Sequence, residues 1–511
     1  MTRDDILANL DKPWDIVVVG GGITGAGVFS QACEAGYSCL LLEQRDFAWG
    51  TSSRSGKLVH GGLRYIAQGQ IRTSFHSVQE RQALLKRYAG LVTPLDFVVP
   101  VPPGGFIVRC GLGCLLAVYD QMAGRRSRQF IPASVLANHV PPMAAASRGA
   151  WQFTDGTTDD ARLVLRVLAD GRRLGGVAAN YVEVKDLLRD ATGRVAGVAA
   201  SDRESGRTWE VRCRVVINAT GVWADELRQA LGYPRQLRQL RGSHLVFPHH
   251  RLPLTHSIAL QHPKDRRNMY VIPWEGRILV GTTDLDHQAP LSYEPRMAPE
   301  EGAYLLETIQ AAFPDAHLVA EDVISTTAGV RPVVNTGKKD PSKESRDEVL
   351  WVDPGMVTIS GGKLTTYRYM AMKALRAATR ELPPPSPRTA TPETLDGLSP
   401  RLLGRYGPDA PRVLALAGDG GLQTIADTQY WWEELDWAAT NEQVLHLEDL
   451  LLRRTRVGLL LPNGGADMLS SVRARVQTLL GWTDDKWNQE VVAYQALWQT
   501  AYSPSLLTRT A

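Results

Sequence analysis

Several short stretches of this 511-residue chain hold residue types that could do chemistry. The first is Gly20-Gly21-Gly22-Ile23-Thr24-Gly25, a G-x-G-x-x-G turn. Gly20 permits a tight turn, Gly22 lets a pyrophosphate approach the backbone, and Gly25 lets a helix pack on a strand. Ile23 and Thr24 would open that helix, with its positive end facing the phosphates. Glu43, 23 residues after Gly20, can accept from a ribose hydroxyl, with Gln44 beside it. Thr51, Ser52, Ser53 and Ser55 follow in a stretch rich in Gly, Ser and Thr that packs poorly and supplies hydroxyl donors. His60-Gly61-Gly62-Leu63-Arg64-Tyr65 then brings an imidazole, a guanidinium and a phenol together. Three further pieces complete the set. Ala219-Thr220-Gly221 ends an apolar strand, Gly329-Val330-Arg331 sets an arginine beside a glycine, with Arg346 shortly after, and Gly361-Gly362-Lys363 opens a helix.

The elements that position these residues are legible around them. Asp15 to Val19 reads as a buried strand, and Val28, Phe29, Ala32 and Cys33 mark one face of a helix. Gly36 is its expected C-cap, and Ser38 to Leu42 is a second buried strand. Together they make one βαβ unit, a much stronger sign of a dinucleotide site than the glycines alone. Ile71 to Tyr88 has helical amphipathicity, and Pro94 to Pro103 must be extended. Asp159-Asp160 opens another helix. Val177 to Val216 reads as short strands, and residues 241–248, 269–274 and 277–284 as strands of a second sheet.

With 57 basic and 54 acidic residues the net charge is +3, which gives no case for nucleic acid. Five cysteines without C-x-x-C spacing read as reduced thiols in a cytosolic setting, and no metal is expected. There is no apparent secretory signal and no run of 18 apolar residues, so no spanning helix is expected. Gly105 to Tyr119 is strongly apolar, with Arg125, Arg126 and Arg128 after it. It reads either as a monotopic membrane contact or as a buried helix with a solvated flank. A proline-rich linker at 381–398 separates residues 1–380 from a helical unit at 399–511, with helices over 430–437, 442–461, 468–480 and 485–502. Its tryptophan stripes read as core, and it shows no obvious chemistry.

In this order, GGGITGAG, TSSRSGKLVHGGLRY, NATGVWA, RGSHLVFP, IPW, GTTD, GVRP and GGKLTTYR resemble the FAD-dependent, quinone-linked glycerol-3-phosphate dehydrogenases over roughly residues 14 to 375. The resemblance implies an α/β fold plus a helical unit: a Rossmann-like FAD-binding domain interleaved with an antiparallel substrate sheet (mainly about 70–160 and 235–330), and a C-terminal helical domain. It implies oxidation of sn-glycerol 3-phosphate to dihydroxyacetone phosphate, with quinone as acceptor in dehydrogenase members and oxygen in oxidase relatives. It also implies a cytoplasmic enzyme held peripherally at the membrane, and a homodimer is one arrangement open to it. It places Arg331 and Lys363 at substrate and flavin, and Tyr65 near the substrate. Further cofactor contacts are expected at Lys57, Leu58, His60, Gly62, Val184, Gly329, Gly362, Leu364 and Thr365.

The residues suit that chemistry independently of the resemblance. A single G-x-G-x-x-G unit leaves no separate nicotinamide site, so a flavin would take the hydride. His60 suits the general base, because imidazole titrates near neutrality, or alternatively a flavin contact. Arg64, Arg331 and Arg346 are the candidate phosphate clamps. Lys363, at a helix opening, can support negative charge on a reduced ring. Another polyol phosphate such as a tetritol phosphate, an amine, or flavin binding without turnover remain open alternatives.

Overall fold

The computed structural model describes residues 3–63, 66, 71–102, 104–143, 147–338, 340, 344, 346–380, 382–389, 395 and 397–507. One sheet runs in the order Met356–Gly361, Thr208–Asn218, Trp14–Val19, Cys39–Leu42, Val177–Ala179, all parallel. Glu348–Asp353 joins it antiparallel at one edge. Val18 lies between Leu41 and Ile217. Both faces are covered, which is why the strands read as unbroken apolar runs. Ile16, Val18 and Leu41 face helices Ile23–Ala35, Asp160–Arg173 and Tyr367–Ala378. Val17, Val19 and Leu40 face a layer containing Val198, Trp209 and Val211. A fully buried valine or leucine contributes about 1.5–3 kcal/mol, so the Gly20–Gly25 turn hangs between elements that are costly to displace. Gly36 caps its helix in the left-handed region, with φ 99°.

The second sheet has ten strands. Its long strand Leu237–Pro248 pairs with Ser325–Val334 along one edge and with Arg277–Gly281 and Leu285–Asp286 along the other. The expected antiparallel pattern holds apart from Ser257–Gln261, which runs parallel to Val92–Pro100 with Ser257 opposite Phe97. The two sheets draw on alternating parts of the chain, so the units interleave.

Three expectations need correction. The described part of the proline-rich linker, residues 382–389, lies against the nucleotide unit. Its Ser386 carbonyl sits over Gly36, where a Cβ would come within 2.1 Å. The Arg388 amide donates to the Glu34 carbonyl at 2.9 Å, and the Arg388 guanidinium to the Leu174 carbonyl at 2.7 Å.

The second correction is to residues 442–461, which are not one helix. A turn at Leu447–Asp449 widens over Leu450–Arg454, where the Thr455 amide donates five residues back to Leu450 at 2.9 Å. The chain is extended at Thr455 before the short helix Val457–Leu460. The cause is three buried arginines with fixed partners in the nucleotide unit. Arg453 and Arg454 meet Asp46 at 2.5 and 2.6 Å, and Arg456 meets Asp160 at 2.7 Å. An unbroken helix would point neighbouring side chains about 100° apart; the widened turn aims them together. Burial opposes the charge on Asp46, yet Arg454 and Arg453 hold its pKa down at about 2.

Third, the apolar stretch is neither buried nor ended at Tyr119. Its helix runs from Phe106 to Ala123 and by length and composition is long enough to cross a membrane. Only Leu116, Tyr119 and Asp120 on it are buried, whereas Phe106, Ile107, Val108 and Val118 are exposed. Arg125 and Arg126 are exposed beyond it, and Arg128 pairs with Asp120 at 2.8 Å.

Candidate active site

A cavity of about 1280 Å³ is lined from both sheets. One end is built on the glycine turn. Gly20 has φ 108°, and a Cβ there would strike the Ala219 carbonyl at 2.6 Å. Gly25 does not line the cavity; a Cβ on it would come 1.9 Å from the Gly20 carbonyl, so its role is close helix-to-strand packing. Gly22, Ile23 and Thr24 bring the helix N-terminus to the cavity wall, where a Cβ on Gly22 would lie 3.0 Å from Ser52 Oγ. The Ile23 amide donates to that oxygen at 2.9 Å, leaving the Ser52 hydroxyl proton for a ligand. Glu43 accepts from the Gly21 amide at 2.6 Å and the Arg45 amide at 2.8 Å. Burial outweighs these bonds and raises its pKa. Gln44, Thr51, Val184, Ala219, Thr220 and Gly221 complete this end.

Two expected contacts turn away from it. Ser53 is buried, and its carbonyl accepts from Lys57 Nζ at 2.8 Å and from Arg456 at 2.5 Å. Lys57 reaches Asp160 at 2.7 Å, fully inside the protein. The Ser55 hydroxyl, although Ser55 touches the cavity, also donates to Asp160, at 2.7 Å. Asp160 is buried at a helix start, and an unpaired buried carboxylate is costly. It therefore recruits the lysine that the resemblance assigned to the cofactor.

The cavity is also lined by Leu58, His60, Gly62, Gly329, Arg331, Arg346, Gly362, Lys363, Leu364 and Thr365. Arg64 and Tyr65 lie outside the described residues. His60 is half-buried, and its amide donates to Thr365 Oγ1 at 3.0 Å, tying its loop to the turn carrying Lys363. The next amide, Gly61, donates to Tyr119 Oη at 2.9 Å and to Asp155 at 3.2 Å. Asp155 is also bound by Arg81 and Tyr119, and burial raises its pKa. This buried network fixes the loop that presents His60. Gly361 and Gly362 both have positive φ, 77° and 68°, which directs Lys363 into the cavity wall; its ammonium donates to Ser77 Oγ at 3.2 Å.

Arg331 donates to Thr282 Oγ1 at 3.0 Å and to Asp284 at 3.2 Å. Its guanidinium lies over Gly242, where a Cβ would come 2.2 Å from Nη2. Burial, then Arg346, lowers its pKa to about 10. Asp284 also pairs with Arg346 and, at 3.4 Å, with Arg267. Sequence reasoning missed Arg267, Asp284 and Gly242 as site residues. The Arg266-Arg267 pair before a strand, and an acid closing the GTTD strand end, were the available signals.

A sequence profile described as FAD dependent oxidoreductase matches residues 15–368, and one described as the C-terminal domain of alpha-glycerophosphate oxidase matches residues 370–487. The chain is 35% identical over 521 positions to glycerol-3-phosphate dehydrogenase 2 of Mycobacterium bovis, covering 95% of this chain and 88% of that protein. It is 35% identical over 391 residues to the aerobic glycerol-3-phosphate dehydrogenase of Staphylococcus haemolyticus, covering 75% and 70%. The solved glycerol-3-phosphate dehydrogenase from Bacillus halodurans, complexed with FAD, superposes with a TM-score of 0.79 at 26% identity, covering 100% of this chain and 99% of that one. The L-alpha-glycerophosphate oxidase of Mycoplasma pneumoniae shares the fold, with a TM-score of 0.58 at 16% identity, covering 75% of this chain and 100% of that one. The residues present fit an FAD. The Gly22 cradle, the helix N-terminus and Glu43 line the same cavity as Gly329, Gly362 and the arginines.

Proposed function

We propose that this chain, which belongs to the FAD-dependent glycerol-3-phosphate dehydrogenases, oxidises the secondary alcohol of sn-glycerol 3-phosphate to the ketone of dihydroxyacetone phosphate. The observation that carries the reading is that one cavity is lined by Arg331 and Arg346 together with His60 and Lys363. Oxidation of the alcohol removes one hydride and one proton. FAD supplies the hydride acceptor when bound. His60 takes the hydroxyl proton, its loop held by the Gly61, Tyr119 and Asp155 bonds. Arg331 and Arg346 bind the phosphate oxygens, together with Arg64, and Tyr65 lines the substrate. Lys363 supplies fixed positive charge at the Gly361-Gly362 turn. The cofactor is held by Gly20, Gly22, Ile23, Thr24, Glu43, Thr51, Ser52 and Ala219 to Gly221.

The electrons go on to a quinone at a membrane surface. The support is the helix Phe106–Ala123: Leu112 and Leu115 line the cavity while Phe106, Ile107 and Val108 are exposed on the outside. One helix thus connects the reaction cavity with an apolar outer face. Anaerobic addition of sn-glycerol 3-phosphate should bleach the bound flavin, whereas glycerol, a tetritol phosphate and primary amines should bleach it far more slowly. Faster bleaching by the tetritol phosphate overturns the three-carbon substrate. Re-oxidation by oxygen as fast as by a water-soluble quinone overturns the acceptor.

A further inference from the structure

We propose that Arg267 is a third phosphate-binding guanidinium, and that Asp284 is the positioning residue that gathers Arg267, Arg331 and Arg346 into one receptor for a phosphate dianion. The inference rests on the function proposed above.

The four residues come from separate parts of the chain. Arg267 precedes the strand Asn268–Trp274, Asp284 follows the strand Arg277–Gly281, Arg331 lies within Ser325–Val334, and Arg346 precedes Glu348–Asp353. All four line the cavity. The Asp284 side chain has no exposed surface, and it meets Arg331 at 3.2 Å, Arg267 at 3.4 Å and Arg346 closer still. One guanidinium neutralises one carboxylate. A second and a third bring like charges together in a cleft where water screens them poorly. A folded chain gains nothing from that arrangement unless an anion joins it. Burial and the neighbouring Arg346 lower the pKa of Arg331, and burial lowers that of Arg267, so both cations sit under strain that an anion would relieve.

The cluster of three cations and one anion leaves an excess of two positive charges. A phosphate monoester near neutral pH carries close to two negative charges. Each guanidinium keeps 22 to 24% of its side-chain surface exposed, and among the described contacts Arg267 and Arg346 each commit one nitrogen to Asp284. Most of their five N–H donors thus remain for ligand oxygens. Asp265, also on the cavity wall, accepts from the Tyr304 hydroxyl at 2.9 Å and the Arg267 amide at 3.1 Å; its charge favours the Arg267 cation from a distance, but among the described contacts it forms no direct pair with that guanidinium.

Asp284 has two possible roles with opposite consequences. If it only dilutes positive charge, removing its charge strengthens anion binding. If it aligns three arms that otherwise repel, removing its charge weakens anion binding.

The test uses the FAD-loaded enzyme and measures KM for sn-glycerol 3-phosphate, the limiting rate of flavin reduction, and inhibition by inorganic phosphate. Arg267→Gln should raise both KM and the phosphate inhibition constant by at least about tenfold, the scale of a charge-assisted hydrogen bond, while the limiting reduction rate changes little. Arg267→Lys should recover only part of the loss, since the fork is gone. Asp284→Asn should also raise the phosphate inhibition constant, despite adding a net positive charge. Tighter phosphate binding in Asp284→Asn overturns the positioning role. If Asp284→Asn loses its flavin, Arg267→Gln decides alone, and wild-type KM and phosphate inhibition in that variant overturn the inference. In that case substrate still bleaches the wild-type flavin and the proposed function stands. A wild-type flavin that sn-glycerol 3-phosphate does not bleach overturns the function and this inference with it.

Discussion

Replacing Gly242 with alanine should damage substrate recognition and leave the fold intact. Gly242 sits in the strand Leu237–Pro248, opposite Gly329. The added Cβ would lie 2.2 Å from Arg331 Nη2, 2.6 Å from its Cζ and 2.7 Å from Thr282 Oγ1. Non-bonded heavy atoms settle near 3.5 Å, so the guanidinium must move by about 1.3 Å. Its bonds to Thr282 at 3.0 Å and Asp284 at 3.2 Å cannot both survive that shift. A hydrogen bond to a charged group contributes about 1.5–3 kcal/mol, so kcat/KM for sn-glycerol 3-phosphate should fall by about 10- to 150-fold. That range includes the roughly hundredfold loss expected from a 1 Å misplacement of a positioning group. The clash is with the far end of a flexible side chain, and alanine in a strand is favoured over glycine by about 0.5–1 kcal/mol. Thermal unfolding and FAD content should therefore match the wild type. Anaerobic stopped-flow flavin reduction across substrate concentrations gives kcat/KM, and a melting curve supplies the control. A kcat/KM within twofold of wild type would refute the idea that Arg331 must lie over Gly242 to bind substrate.

Other perturbations separate the remaining claims. His60→Ala should slow flavin reduction more than it raises KM, and an unchanged reduction rate across pH removes His60 as the base. Gly22→Val should purify without yellow colour, because its side chain fills the cradle beside Ser52; normal FAD content would place the cofactor elsewhere. His446 is a test of pH linkage: burial disfavours its charge, but Glu204 and Glu490 push its pKa up to about 10. Its stabilisation is fully present below the unfolded value near 6.5 and is lost as pH rises toward about 10. The melting-temperature gap between wild type and His446→Gln should thus be widest below about pH 6.5 and close in alkali; a gap that stays constant counts against the paired imidazolium. Phe106→Glu with Ile107→Glu should move the enzyme to the soluble fraction while substrate still reduces its flavin. Glutamate at Leu116 would be a poor probe, because that side chain is buried. If the double variant still pellets with membranes in high salt, the contact lies elsewhere.

The sequence by itself determined what local spacing can encode. The run from Trp14 to Leu42 carries its own strand, turn, helix, cap and strand, and each is formed by neighbours in the chain. The glycines at 20, 22 and 25 are legible because backbone conformation and close approach admit few other residues there. The helices of the tail showed through their apolar stripes, up to the point where partners distant in sequence took over. Residues 442–461 kept a helical pattern but widened and broke, because Asp46 and Asp160 fix where Arg453, Arg454 and Arg456 must point. Lys57 reads as a cofactor contact in its motif, and only the fold brings the buried Asp160 close enough to claim it. The arginine cluster around Asp284 is likewise a product of tertiary structure. Arg267, Asp284, Arg331 and Arg346 span 80 residues and meet through the packing of two sheets, and the Gly242 seat for Arg331 exists only across a strand pair. Charge clusters of this kind leave little trace in a single chain, because Coulomb attraction depends on distance in space and not on distance in sequence.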